Sequence, residues 1–240
     1  MILDPLVFPI RINRYLELTG QATRRGADDL IVAGLVSVNG RKAVLGQKIE
    51  ATDQVVLLKK RRTKAYQYVL FNKPKGIVSH SPQVAGDKAI AEVSKFPSLA
   101  PMGRLDKASE GLILLTDDGR VTERLLNPKS GHEKEYLVTV RETVPGFAVK
   151  ILTQGVRDQG EKLTAKEVVI LDDHKLKIVL TEGRKHQIRR MLSAVRLTVT
   201  GLKRVRIMNF QLGSLRPGQG RPLTRPEQVA FLTTLSLPTN

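Results

Sequence analysis

Near the N-terminus, Ile12, Tyr15 and Leu16, and then Ala27, Leu30 and Ile31, recur at the three- and four-residue spacing of an amphipathic helix. Gly20 and Gly34 stand where helix C-caps belong, so two short helices are predicted. The period then falls to two. VSVNGRKAVL alternates around Asn39-Gly40, a strong signal for a two-residue hairpin, and DQVVLL supplies a further strand. The expected unit is two helices followed by a small sheet.

From Tyr66 the pattern restarts. YQYVLFNKP alternates and breaks at Lys73-Pro74, and GLILLTDD reads as a strand ended by Asp118-Gly119. RVTERLLN is helical, with Val121, Leu125 and Leu126 expected on one side. KEYLVTV is a strand that sets Tyr136, Val138 and Val140 on one face and Leu137 and Thr139 on the other. HKLKIVLTEG is a strand leading into the helix RKHQIRRMLSAV, whose apolar stripe is Ile188, Met191, Leu192 and Val195, with His186, Arg189 and Arg190 together at its edge. LKRVRIMNFQLGSL is strand-rich, and in RPLTRPEQVAFLTTL Thr224 is placed as an N-cap with Glu227 three residues on. Helices and strands do not alternate regularly, so the predicted class is α+β. The expected organisation is a leader over 1–10, a small module over 11–58, a basic linker over 59–65 and a larger domain over 66–240. KKRRTK within the linker has a nuclear-localisation signal as its alternative reading.

Composition narrows the chemistry. The 240 residues include no cysteine, which excludes disulfides, thiolate metal sites and cysteine nucleophiles, and the four histidines lack metal-ligand spacing. No cofactor and no metal are expected. No apolar run approaches the roughly 18 residues of a membrane span, and the N-terminus does not read as an export signal, so a cytoplasmic protein is expected. The net charge of +17 is unevenly spread: residues 1–65 carry 12 Lys+Arg against 6 Asp+Glu, residues 66–174 carry 15 against 15, and residues 175–240 carry 13 against 2. Two basic ends around a neutral middle suit a long polyanion gripped at two places, and nucleic acid is the one expected. Arg24 and Arg25, at the predicted start of the second helix, are placed to meet a phosphate with the free amides there.

In the neutral middle stands GRLDKASEGLILLTDDG. By itself Asp106 reads as a turn residue at least as readily as a catalytic one. Its case rests on Arg189, because an arginine within about 4–6 Å of an aspartate favours the charged carboxylate that a nucleophile or a general base needs.

The segment RINRYL, the GQATRR turn, LIVAGLVSVNG and DQVVL together resemble the small RNA-binding fold named after ribosomal small-subunit protein four, with Gly26 a departure that should loosen the second helix start. GRLDKASEGLILLTDDG, HEKEYLVTV, EGRKHQIRRML and LKRVRIMNFQLGSLRPGQGRPLT resemble, in order and spacing, the RsuA-type pseudouridine synthases of ribosomal RNA, in particular their RluB, RluE and RluF branch, with RluF nearest. The resemblance implies a mixed, largely antiparallel catalytic domain that isomerises a uridine of ribosomal RNA, more specifically of the large subunit, with free RNA, an assembly particle and the finished ribosome all open as the form of the substrate. It implies a monomer that needs no cofactor. By position it gives Asp106 as the essential aspartate, Tyr136 as the residue that stacks on the uracil and assists proton transfer, and Arg189 as the aspartate's basic partner. Arg104 would fill the gap left by the extruded base, and Leu202 and Ile207 would wall the uracil pocket. Arg11, Arg14, Arg24, Arg25, Lys107, Lys185, His186, Arg190, Lys203, Arg204 and Arg206 would contact RNA. Two departures bear on substrate choice: a short segment before GRLD, and no glycine after the helix that carries Arg189. The competing readings are a non-catalytic ribosome-assembly protein, a synthase acting on tRNA, and a glycosidase, which would want a second acid about 5–9 Å from the first. Glu110 is the near carboxylate.

Overall fold

The computed structural model describes residues 6–58, 65–127 and 130–239. The chain forms two compact units: one takes in residues up to Tyr66 with Asp118–Thr122 and Thr224–Asn240, the other Gln67–Asp117 and Glu123–Leu223. The sequence reading put everything after residue 65 in one domain, whereas a short stretch and the C-terminal helix group with the N-terminal module. The stretch called a linker falls, over 59–64, outside the described residues, as do residues 1–5.

In the smaller unit the order is β1 (Ile10–Arg11), α1 (Ile12–Leu18), α2 (Arg24–Val32), β2 (Val36–Val38), β3 (Arg41–Lys42), β4 (Lys48–Ile49) and β5 (Val55–Leu57). Both helices end as predicted, with Gly20 (φ 72°) and Gly34 (φ 65°) in the left-handed region and six-residue bonds from Gln21 N–H to Leu16 O and from Leu35 N–H to Leu30 O. Thr23 caps α2, its Oγ1 accepting from Gly26 N–H at 3.0 Å, so the residue expected to loosen the helix start receives the cap. Asn39 (φ 51°) and Gly40 (φ 78°) form the hairpin turn between β2 and β3, and β5 completes the sheet on the other side of β2. The core is Ile12, Leu16, Ala27, Leu30, Ile31, Val36, Val38 and Ile49, close to the stripe read from periodicity.

The larger unit holds β6 (Tyr68–Lys73), α3 (Ile90–Val93), β7 (Ala100–Met102) and β8 (Glu110–Thr116). Then come α4 (Arg120–Leu126), which begins in the smaller unit, β9 (Lys134–Val140), α5 (Phe147–Gln154), β10 (Val156–Asp158), β11 (Glu161–Leu163), β12 (Glu167–Asp172), β13 (Lys175–Leu180), α6 (Gln187–Ala194), β14 (Val199–Ile207), β15 (Phe210–Gln211) and β16 (Gly220–Pro222). α7 (Arg225–Thr234) belongs to the smaller unit and starts with the predicted Thr224/Glu227 capping box. One sheet dominates, in the order β12-β13-β9-β14-β8-β6-β16, with β7 on β8 and β15 on β14. Its pairings are antiparallel except for a short parallel contact of β14 with β8. The fold is α+β with a mixed, largely antiparallel sheet, as read from the sequence.

β9 shows why the alternation was legible. Tyr136, Val138 and Val140 are buried, while Leu137 on the other face is 39% exposed. The buried face lies in one cluster with Ala148, Leu152, Ile188, Met191 and Leu192 of α5 and α6, and each leucine, isoleucine or methionine side chain taken from water contributes about 1.5–3 kcal/mol. Leu126 corrects the reading of α4: it is 40% exposed, whereas Val121 and Leu125 are buried. Among the described residues no helix is long and apolar enough to cross a membrane.

Candidate active site

Asp106 lies in the loop that leads from β7 into β8. Gly103 opens the loop at φ 79°, a conformation that costs glycine little. The buried Ser79 then holds Leu105 at both backbone groups, its Oγ accepting from Leu105 N–H at 2.9 Å and donating to Leu105 O at 2.8 Å. Ser109 N–H closes a turn onto Asp106 O at 2.9 Å, and Gly76 N–H bonds Lys107 O at 2.7 Å. The aspartate is thus fixed at its backbone from both sides while its side chain stays about one-third exposed. Ser79 carried no motif, and its only trace in the sequence is a small polar residue between apolar stretches.

The start of α6 faces that carboxylate. His186 is its N-cap, in the left-handed region at φ 53° and ψ 25°, and its Nδ1 lies 3.1 Å from Asp106 Oδ2. Gln187 anchors the turn from beneath: it is buried, its Oε1 accepts from Arg184 N–H, and its Nε2 donates to Glu182 Oε1 at 2.8 Å and to Thr164 O at 3.3 Å. Arg189 departs from expectation. It makes no ion pair with Asp106; its guanidinium donates to Val199 O at 3.3 Å and to Ala108 O at 3.5 Å. Arg189 therefore reaches the aspartate's loop, but the cation-capable group on the carboxylate is His186. The reason is local geometry. A helical wheel gives no direction for a left-handed cap residue, and here that residue is turned toward the loop.

Tyr136 is buried in the same hydrophobic cluster as Leu105, the neighbour of the aspartate, and Leu202, one predicted pocket wall. Ile207 is buried at the end of β14, opposite Lys134 of β9, and is not part of that cluster. Arg104 and Lys185 are exposed and make no hydrogen bond among the described residues, Lys203 is half-buried, and Lys107 pairs with Asp87 at 2.6 Å. Three arginines expected to grip phosphates are otherwise engaged. Arg204 is only 4% exposed and donates from Nε to Leu112 O at 2.7 Å, which corrects its reading as a surface contact. Arg206 bonds Glu133 at 3.0 Å and Glu135 at 3.2 Å. Arg190 of α6 pairs with Asp158 and, at 2.8 Å, with Glu161, fastening the β10–β11 hairpin to its own helix. In the smaller unit Arg11, Arg24 and Arg25 are exposed, and Arg14 pairs with Glu17 at 2.7 Å.

Sequence reading also passed over Lys73, the last residue of β6. It is fully buried, with Nζ donating to Pro74 O at 2.9 Å and to Ile77 O. Burial pushes its pKa down to about 8, Arg204 adds to the effect, and Asp106 and Glu110 oppose it. A buried cation therefore sits in the electrostatic reach of the candidate carboxylate. Its signal in the sequence is faint: a lysine at the inward end of a strand whose residues are buried on both faces. Among the described residues no group of three or more His, Asp or Glu is placed to hold a metal ion.

The chain is similar in sequence and fold to known proteins. A sequence model of the RNA pseudouridylate synthase family matches residues 67–194. The "Dual-specificity RNA pseudouridine synthase RluF" of Salmonella typhi is 35% identical over 91% of this chain and 77% of its own length. The "Ribosomal large subunit pseudouridine synthase B" of Bacillus subtilis is 33% identical over 94% of this chain and 96% of its own. A crystal structure described as a pseudouridylate synthase superposes with a TM-score of 0.68 at 31% identity, covering 94% of this chain and 99% of that one. With the match to the family and these identities over most of its length, the chain belongs to the RNA pseudouridine synthases, enzymes that act on RNA.

Proposed function

We propose that this synthase isomerises a uridine of ribosomal RNA in the cytoplasm, as a monomer, with Asp106 as the essential group. The observation that carries the reading is the setting of that carboxylate: backbone-fixed, partly open to solvent, and next to the buried cluster of Leu105, Tyr136 and Leu202. A stacked base cannot reach such a group, so the nucleotide swings out at a cost of a few kcal/mol, and the exposed Arg104 takes its place in the stack. The uracil lies against Tyr136 and Leu202. The bond from N1 to the sugar breaks, the base turns and carbon five bonds to the sugar, after which carbon five loses its proton and N1 gains one. An ionised Asp106 serves this either by attacking the sugar and being expelled when carbon five bonds, or by taking a proton from the sugar and returning it. Arg189, on the carbonyl of Ala108, is within one loop of that site and supplies positive charge there.

The smaller unit supplies a sequence-independent grip in this reading. Arg24 and Arg25 are exposed at the start of α2 and Arg11 on β1, where no carboxylate among the described residues engages them.

The test incubates the full chain and Asp106→Asn with ribosomal RNA, and in parallel with tRNA, and maps pseudouridine by carbodiimide-dependent reverse-transcription stops. A stop in ribosomal RNA made by the unaltered protein and absent with Asp106→Asn is the expected result. A stop in tRNA alone would move the substrate, and an active Asp106→Asn would remove the mechanism. Arg24→Ala with Arg25→Ala is expected to weaken RNA binding and to lower the slope of log affinity against log salt by about 0.7–0.9 per lost phosphate contact, with the rate at saturation little changed.

A further inference from the structure

We infer that His186 is a positioning residue for the aspartate, donating an Nδ1–H···Oδ2 hydrogen bond that sets the rotation of the Asp106 carboxylate and leaves the other oxygen to the nucleotide. The inference rests on Asp106 being the essential group, as proposed above. Sequence reading gave His186 only a contact with RNA. The geometry gives it a different task.

The 3.1 Å approach of Nδ1 to Oδ2 is the one hydrogen bond to the Asp106 side chain among the described residues. Ser79 and the Ser109 turn fix the backbone of the loop but leave the aspartate side chain free to rotate. A carboxylate that must meet one ribose atom needs that rotation removed before the substrate arrives. On the other side, His186 holds a left-handed conformation that a residue with a Cβ adopts seldom, and the buried Gln187 ties the turn around it to Glu182, Arg184 and Thr164. The two ends of the contact are therefore both built on fixed backbone. Lys185, exposed beside it, and Arg189, turned to the carbonyls of Ala108 and Val199, leave the carboxylate to the imidazole. Nδ1 donates to the carboxylate in the cationic ring and in one neutral tautomer alike, so the contact does not depend on the ring being charged.

The experiment compares His186→Ala, His186→Gly and His186→Asn in the full chain, by single-turnover rates at saturating enzyme on the transcript mapped above, RNA affinity across a salt series, and thermal melting. His186→Ala is expected to slow the saturated step about 10- to 100-fold with affinity and salt slope unchanged. His186→Gly accepts the left-handed backbone but has no donor, so it should be equally slow. His186→Asn also tolerates that backbone, carries an amide N–H near the place of Nδ1, and should recover most of the rate. Long-range nitrogen–proton spectra of the histidines in the free protein should show Nδ1 of His186 protonated at neutral pH. A full saturated rate in His186→Ala with weakened affinity and a lower salt slope would reassign the side chain to RNA and overturn the inference, as would a bare Nδ1 or an asparagine variant no faster than alanine. An inactive Asp106→Asn beside an unimpaired His186→Ala sinks this inference alone, whereas an active Asp106→Asn sinks the reading beneath it.

Discussion

A Cβ placed on Gly111 would stand 2.2 Å from the carbonyl oxygen of Arg204 and 2.6 Å from its nitrogen. The two residues face each other where β8 and β14 touch in parallel, one step beyond Lys203 and Glu110. Gly111 also has φ 109°, outside the range of ordinary side-chain-bearing residues. The sheet can close here only because nothing projects from this α-carbon. Arg204 lies opposite Tyr136 on β9, so any widening at Gly111 moves the strand that supports the tyrosine. Gly111→Ala is expected to cost about 3 kcal/mol or more in urea denaturation, combining overpacking against backbone with an unfavourable φ. Gly183→Ala, with open space and ordinary φ, should cost far less. Equal behaviour of the two variants would contradict the account.

Lys73 makes stability depend on pH in a direction opposite to that of a lysine held in a stabilising ion pair. Its folded pKa of about 8 lies below the value near 10.4 of an exposed lysine, because burial disfavours the charged form. Between those values the unfolded chain holds a proton that the folded chain does not, so stability rises as pH climbs from about 8 to about 10.4. The full rise is on the order of 3 kcal/mol. Denaturation curves of the native chain and Lys73→Met measured across that window should therefore diverge, the native chain gaining relative to the variant. Parallel curves would show that water reaches the lysine and that its folded pKa is not lowered.

How much was legible follows from where local pattern decides. Alternation located Tyr136, Val138 and Val140 correctly because β9 has one buried face and a fixed period of two. Asn39-Gly40 and the two C-cap glycines were legible because their backbone angles are demanded by the turn itself. The same logic failed for Arg204 and Arg206. Both were expected to contact RNA, but the register shifts between them, and one is buried against Leu112 while the other reaches Glu133 and Glu135. The approach of His186 to Asp106 was not legible for a related reason, since the helix begins one residue after it. The grouping of α7 with the N-terminal module is a contact across most of the chain, which no local signal carries.

Arg190 and Lys185 are separable although both were read as RNA contacts. The side chain of Arg190 is 16% exposed and saturated by Asp158 and Glu161, whose carboxylates it holds against the β10–β11 hairpin. Lys185 is exposed, with no acidic partner among the described residues. Arg190→Ala is expected to lower the melting temperature and leave the salt slope of RNA binding unchanged. Lys185→Ala should do the reverse, lowering that slope by about 0.7–0.9 with the melting temperature held. A lowered slope in Arg190→Ala would mean that RNA competes for its guanidinium.

The absent glycine after α6 has a structural counterpart. Arg196 occupies the left-handed position there at φ 61°, with Arg196 N–H bonded to Ser193 O and Leu197 N–H returning to Leu192 O, the ring that usually closes around glycine. A side chain with a Cβ pays about 1–2 kcal/mol for that conformation, of which the greater flexibility of unfolded glycine returns roughly half. Arg196→Gly should therefore raise stability by about 1 kcal/mol in denaturant titrations, with the m-value unchanged because the surface exposed on unfolding is nearly the same. The gain should be confined to the folded helix end: the saturated rate should not change, because the residue lies at the opposite end of α6 from His186. A loss of stability would show that the Arg196 side chain contributes more at this site than its backbone strain costs.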